Sequence, residues 1–204
     1  MNEVLGQVSF DSEDLILVDS LDQVIGNASK RTVHLPGGQL HRAFSIFVYT
    51  KNNQVLLHKR SQDKPLWPNF WTNSCCSHPR NGESYDSAVH RRLQEELGLQ
   101  TPLTRVYQFE YLAHFGSVGT EHELCAVYIG HLDDAINITP HPNEISEWGW
   151  FDLDHVDAWV AAAPDEFTPW FLLEWRAMRE VHADSVTSKM FAPGQTSKTD
   201  KPEH

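Results

Sequence analysis

The chain has 204 residues, enough for one domain with a substantial core and a short tail, and 40% of them are hydrophobic against 22% charged, a globular rather than a disordered or fibrous balance. Lys and Arg number 16 against 28 Asp and Glu, a formal net charge of -12, so the general field that draws proteins to nucleic acids or anionic bilayers is missing and an anionic ligand must be held by a metal ion or a local cation cluster. No apolar run approaches the roughly 20 residues that cross a bilayer, and the acidic start (Glu3, Asp11, Glu13, Asp14) resembles neither a secretory nor an organellar leader, so a cytoplasmic location is expected.

Residues 1 to about 12 read as a polar lead-in. Leu15 to Asp19 is a short strand candidate, and Phe44–Tyr49 followed by Lys51-Asn52-Asn53 and Gln54–Leu57 reads as a hairpin. A loop rich in Trp and Pro runs from Trp67-Pro68 to His78-Pro79. Ser84 then caps a helix reaching about Leu97, with Val89, Leu93 and Leu97 as its apolar stripe and Gly98 as its stop. Val106–Tyr111, Glu121–Ile129 and Trp148–Phe151 are further strand candidates. Thr168 and Pro169 open a last helix with Phe171, Leu172, Trp175 and Met178 on its apolar side. From about Asp184 the chain is polar and buries too little to offset its entropy, so a single domain over 1–183 with a disordered tail over 184–204 is expected. Strands interleaved with two or three helices predict an α/β or α+β sandwich. Cys75, Cys76 and Cys125 are an odd set without paired spacing, which fits reduced thiols better than a disulfide framework or a structural zinc site.

Two groups of residues carry candidate chemistry. Glu83, Arg91, Glu95, Glu96 and Gly98 stand in the order E-x7-R-x3-E-E-x-G, and helix carboxylates beside a loop can hold a hard dication that in turn holds a diphosphate. On an arbitrary helix they would be a solvated face. The spacing resembles the Nudix box, with Ser77 in place of its opening glycine and Arg92 in place of the glutamate after its arginine. Losing that carboxylate argues against ordinary Nudix hydrolysis, and an arginine there can touch a phosphate directly. The second group is dispersed: His34 and His41 flank a Pro-Gly-Gly turn, His78 ends the T-N-S-C-C-S-H loop, and alternation puts Glu121 and Glu123 on one strand face. Three imidazoles and two carboxylates suit Mg²⁺, Mn²⁺ or Zn²⁺. Spacing alone does not join them.

The strings KRTVHLPGGQLHRAFSIFVY, LHKRSQDKPLWPNFWTNSCCSHPRNGE, RRLQEELGL, FEYLAHFGSVGTEHE and TPWFLLEW follow one another in order. From about Leu15 to His182 the chain therefore resembles the type I isopentenyl-diphosphate isomerases, Nudix-fold enzymes that interconvert isopentenyl and dimethylallyl diphosphate. The resemblance implies a mixed sheet sandwich flanked by helices, and metal ligands at His34, His41, His78, Glu121 and Glu123. It implies Mn²⁺, Mg²⁺ or Zn²⁺ at that site, and a Mg²⁺ that arrives with the diphosphate near Glu96. It puts the active-site cysteine at Cys76 rather than Cys75, which is read as a small buried hydrophobe. Phosphate contacts fall on Lys30, Arg60, Lys64 and Arg92, and the aromatic positions on Tyr111 and Trp170. Trp67, Trp71, Trp148 and Trp150 are assigned to core or pocket wall.

Moving the double bond requires adding a proton at one carbon and removing one two bonds away. A metal-bound Glu123, helped by Tyr111, would deliver the first, and Cys76 as thiolate, its pKa lowered by nearby cations or a metal, would remove the second. Trp170 would face the carbocation. The partner is a small diphosphate, not nucleic acid or a membrane interior, and a monomer is the default. The rivals are a Nudix hydrolase of nucleoside diphosphate derivatives, which needs the carboxylate that Arg92 replaces, and a silent metal-binding module, which gives Cys76 no task.

Overall fold

Residues 7–187 are described in a computed structural model of the chain. In order the elements are β1 (Asp14–Val18), β2 (Val24–Ser29), α1 (Lys30–Val33), β3 (His41–Thr50), β4 (Gln54–Arg60), β5 (Trp71–Thr72), β6 (Cys75–Ser77), α2 (Tyr85–Leu97), β7 (Leu103–Phe115), β8 (Gly119–Leu132), β9 (Ile145–Asp152), α3 (Leu153–Ala162), a 3₁₀ turn at Pro164–Glu166, α4 (Pro169–Glu180) and α5 (Ala183–Thr187).

β3 organises the molecule because both of its faces are apolar. Phe44, Ile46 and Val48 point to a core shared with Val89, Leu93 and Leu97 of α2, whereas Ala43, Phe47 and Tyr49 join Phe171, Trp175 and Met178 of α4 and Val156 of α3. A strand buried on both faces reads as a continuous hydrophobic run, and here helices cover each side. β3 pairs in parallel with β8 over ten residues, from His41 opposite Glu123 to Thr50 opposite Leu132. β8 is the return strand of an antiparallel hairpin with β7. β6 lies antiparallel to the first half of β3, with Cys76 opposite Ser45. β4 takes β9 and β5 as its main partners, and β1 pairs with β2. The mixed sheet with helices on both faces is the expected sandwich.

Local signals placed the helix ends well. The Ser84 hydroxyl accepts the Ser87 N–H at 3.2 Å, and Gly98 closes α2 at φ 63, a left-handed conformation that strains any residue bearing a Cβ. Pro169 opens α4, but Thr168 does not cap it through its side chain; its hydroxyl donates to Thr72 Oγ1 at 3.0 Å. The strands at 103–115, 119–132 and 145–152 are longer than periodicity indicated, and β2, β5, β6, α1 and α3 were not foreseen. β3 and β4 follow each other as read, yet their recorded pairing is limited to Tyr49 opposite Val55. Structure also continues past the anticipated boundary at 183, because α5 buries Val186 against the core; the rest of the expected tail, 188–204, lies outside the described residues. In the described part of the lead-in, Ser9 and Val8 contact Lys30 and Arg92. Among the described residues no helix is long and apolar enough to cross a membrane.

Candidate active site

The parallel register of β3 and β8 brings His41 opposite Glu123, and alternation along β8 puts Glu121 beside it. His34 follows α1, whose first turn is fixed by Ser29, and His78 follows β6. The five residues converge, with one ligand atom from each lying within 4.8 Å of all the others. His34 Nε2 is 2.8 Å from Glu121 Oε2, and His78 Nε2 is 2.9 Å from Glu123 Oε1. Backbone carbonyls of Lys30 and Gln39 accept from Nδ1 of His34 and His41 at 2.6 and 2.7 Å. Each Nδ1 must then carry the proton, which leaves the Nε2 lone pairs aimed at the cluster, the outer-shell arrangement of metal-ligating histidines. Gly119 permits this packing, because a Cβ there would meet the His34 carbonyl at 2.5 Å.

Whether a dication fits can be judged from the donor set itself. His41 Nε2 and Glu121 Oε2 are buried and without a hydrogen-bond partner, an expensive condition unless another electrophile satisfies them. Burial, with His34 beside it, pushes His41 down to about 3, and burial with the neighbouring imidazoles holds His78 well below the usual range. Both rings are therefore neutral, as ligation requires. Burial opposes the charge on Glu121, but the His34 imidazole outweighs it and holds that carboxyl low. Burial and the adjacent Glu121 push Glu123 well above the usual carboxylate range. Three imidazoles and two carboxyl groups fit a borderline or hard dication.

His34, His78, Glu121 and Glu123 of the cluster line a cavity of about 750 Å³, whose wall also includes Cys76, Tyr111 and Trp170. The Tyr111 hydroxyl donates to Glu123 Oε2 at 2.6 Å. Trp170 is 3% exposed, packs edge-on against Trp67 at 5.3 Å, and directs its indole N–H to Cys76 Sγ at 3.3 Å. Cys76 in turn donates to Asn73 Oδ1. The thiol departs from expectation: burial, reinforced by Glu174, pushes it up to about 12, against the opposing influence of Thr72 and Arg60. Desolvation of the thiolate outweighs the cations, so the resting group is a thiol. Cys75 is fully buried in the core under α2, as anticipated.

The same wall carries cations. Lys30, Lys64, Arg60 and Arg92 all reach the cavity wall. Burial and the nearby Lys64 lower Lys30 to about 8. Arg60 is anchored to the carbonyls of Trp67 and Leu66 at 3.0 and 2.8 Å, and its guanidinium lies 5.2 Å from the Trp170 ring centroid. Lys64 is paired with Glu144. Arg92 binds Glu96 at 2.5 Å, Glu95 at 3.0 Å and the Val8 carbonyl at 2.6 Å. Glu96 is sealed against Arg92 at 2% exposure and is not on the cavity wall; the carboxylate that faces the cavity there is Glu144. Glu144 carries no motif signal in the sequence, nor do Ser45, Asn73 and Glu174 around Cys76. Their relevance comes only from packing.

A Nudix domain model matches residues 39–171. The chain is 38% identical over 177 residues to isopentenyl-diphosphate Delta-isomerase 1 of Photorhabdus laumondii, covering 85% of this chain and 99% of that one. It is 42% identical to the isopentenyl-diphosphate Delta-isomerase of Serratia proteamaculans, covering 78% and 88%. Among solved structures, a Deinococcus radiodurans protein at 25% identity superposes with a TM-score of 0.59 over 74% of this chain and 90% of that one. A MutT protein from Methanosarcina mazei, at 16% identity and a TM-score of 0.54, covers 69% and 94% and shares the fold.

Proposed function

The chain belongs to the isopentenyl-diphosphate Delta-isomerases of the Nudix family, and from that membership we propose how its cavity moves two protons. It is an isomerase that converts isopentenyl diphosphate to dimethylallyl diphosphate in isoprenoid biosynthesis. The reading rests on one observation above all: Glu123 and Cys76 line the same cavity, with Trp170 beside the sulfur.

The diphosphate is held by Lys30, Lys64, Arg60 and Arg92, cations that supply the local field the acidic protein otherwise lacks. Glu144, already paired with Lys64, keeps that cluster ordered before substrate arrives. The alkenyl group then extends between Glu123 and Cys76. Glu123, buried and hydrogen-bonded by Tyr111, holds a proton and passes it to the terminal alkene carbon, which creates a tertiary carbocation. The Trp170 ring, itself 3% exposed, shelters that charge. Cys76 acts as thiolate, its own proton having left to solvent before the alkene is enclosed; the sulfur removes a proton from the carbon next to the diphosphate-bearing one, and the double bond re-forms internally. In the reverse direction the acid and base exchange roles.

His34, His41, His78, Glu121 and Glu123 would hold the dication. When bound, it supplies a positive charge that fixes the two carboxylates and favours proton release from Glu123. No step is assigned to a magnesium at Glu96, whose carboxylate is engaged by Arg92.

The test is NMR of both five-carbon diphosphates with metal-loaded protein. Positioned acid–base groups contribute about 10²–10⁴-fold, so Cys76→Ala and Glu123→Gln should each lower turnover at least that far, the cysteine variant with its metal content intact. Wild-type-like turnover by Cys76→Ala, or phosphate release from nucleoside diphosphate derivatives faster than isomerisation, would overturn the assignment.

A further inference from the structure

Every one of the four cations on the cavity wall already has a partner before a ligand enters. Lys30 donates to the Ser9 hydroxyl and Arg60 to two backbone carbonyls, all neutral acceptors. Arg92 is bound by Glu96 and Glu95, neither of which lines the cavity. Glu144 differs. Among the described residues it is the carboxylate that both lines the cavity and pairs with these cations, bonding Lys64 and standing 3.5 Å from Arg92 Nη2. Its position is built into the backbone. The β4–β9 pairing ends with Arg60 opposite Ile145, so Glu144 meets the turn that carries Lys64. The Ser61 N–H donates to the Glu144 carbonyl at 2.8 Å, and the Lys64 N–H donates to the Ser61 carbonyl at 3.2 Å. The Glu144 N–H donates to the His141 carbonyl at 3.0 Å, and the residue is 5% exposed. Burial opposes its charge, but Lys64 and Arg92 outweigh that and hold the carboxyl at about 2, so it is an anion throughout the neutral range.

A fixed negative charge here is unfavourable for a diphosphate, which it repels and whose donor it occupies. The reaction supplies a reason for it. Substrate and product carry the same diphosphate and differ only in the place of a double bond. Affinity gained through the diphosphate is gained equally by both, so it leaves the barrier between them unchanged and slows departure of the product. We propose that Glu144 is a positioning residue that competes with the diphosphate for Lys64 and Arg92, holding Lys64 in place in the empty cavity and weakening the grip on the product. The inference rests on the reading that these cations bind the diphosphate. As the ligand enters, the Lys64 ammonium transfers its hydrogen bonds from the carboxylate to phosphate oxygen, and as product leaves, Glu144 takes them back. No covalent bond or protonation state changes in the exchange.

The experiment measures inorganic pyrophosphate as an inhibitor of the metal-loaded enzyme, together with steady-state kinetics on isopentenyl diphosphate. Glu144→Gln keeps an acceptor oxygen for Lys64 and removes the charge, whereas Glu144→Asp keeps the charge on a shorter stem. The glutamine variant should lower the inhibition constant of pyrophosphate at least fivefold and lower KM in step, with kcat/KM not reduced. The aspartate variant should stay within twofold of wild type in both. Glu144→Ala carries the same expectation as the glutamine variant should that one not fold. An unchanged or raised inhibition constant once the charge is gone means that Glu144 only orders the cations, and overturns the proposal. Tightening of the same size in the aspartate variant overturns it as well. Lys64→Met run alongside separates the two readings. If it leaves KM and pyrophosphate inhibition unchanged, the cation assignment beneath fails; if it raises both while Glu144→Gln matches wild type, the competition alone fails.

Discussion

Replacing Arg92 with leucine separates what this residue does for the fold from what it does for the ligand. Its guanidinium is 3% exposed and bonds Glu96, Glu95 and the Val8 carbonyl, with Glu144 Oε1 at 3.5 Å. Removing it strands the Glu96 carboxylate, 2% exposed, without a counter-charge. Breaking a buried pair from one side costs about 3–5 kcal/mol. At about 2–4 °C per kcal/mol for a domain of this size, melting should fall by about 6–20 °C. The double variant Arg92→Leu/Glu96→Leu exchanges the pair for apolar packing and should recover most of that loss. Ligand binding should behave differently. A charge-assisted hydrogen bond to phosphate is worth about 1.5–3 kcal/mol, so KM for isopentenyl diphosphate should rise about 10–150-fold in the single variant and stay raised in the double. Calorimetry and urea denaturation read the first effect, and steady-state kinetics the second. Melting of the single variant within 2 °C of wild type, or recovery of KM along with stability in the double, would refute the reasoning.

Chelation should abolish activity and lower the melting temperature, and Mn²⁺ at about 100 times its Kd should restore roughly 2.7 kcal/mol; equal melting with and without metal in calorimetry would count against the His/Glu site. His41→Ala should lose that metal-dependent stabilisation, since its orphaned Nε2 points into the cluster. His58, outside the His/Glu cluster, contributes to acid sensitivity: burial holds it at about 3 against 6.5 in the unfolded chain. Between those values the unfolded chain binds a proton that the folded one refuses, so this contribution is complete above pH 6.5 and is lost as pH falls, by about 1.4 kcal/mol per unit. His58→Asn should therefore flatten the decline in urea stability between pH 6 and 4 by about 2 kcal/mol, and a parallel decline would sink this account. Trp170→Leu should lower kcat about 30-fold, the equivalent of about 2 kcal/mol of cation–π attraction, with Trp170→Phe retaining more; equal losses would argue that only the indole N–H matters.

Short-range rules account for what was readable along the chain. Ser84 and Gly98 bracket α2, Val89, Leu93 and Leu97 mark its buried stripe, and alternation puts Glu121 and Glu123 on one face, because capping, helical period and strand period depend on neighbouring residues. The ordered strings around His34, Cys76, Glu121 and Trp170 added the candidate site residues by likeness, and all of them except His41 and Glu96 line one cavity wall, His41 standing within the metal-ligand cluster. Non-local pairing was a different matter. His41 meets Glu123 only because β3 and β8 run parallel across a long connection, and no local pattern states that choice. Burial likewise belongs to the folded whole: it keeps Cys76 a thiol where nearby cations suggested a thiolate, seals Glu96 behind Arg92, and turns Glu144 into the cavity. Residue types named the chemistry available, whereas desolvation and distance, which exist only after the chain has closed on itself, decided which groups carry it.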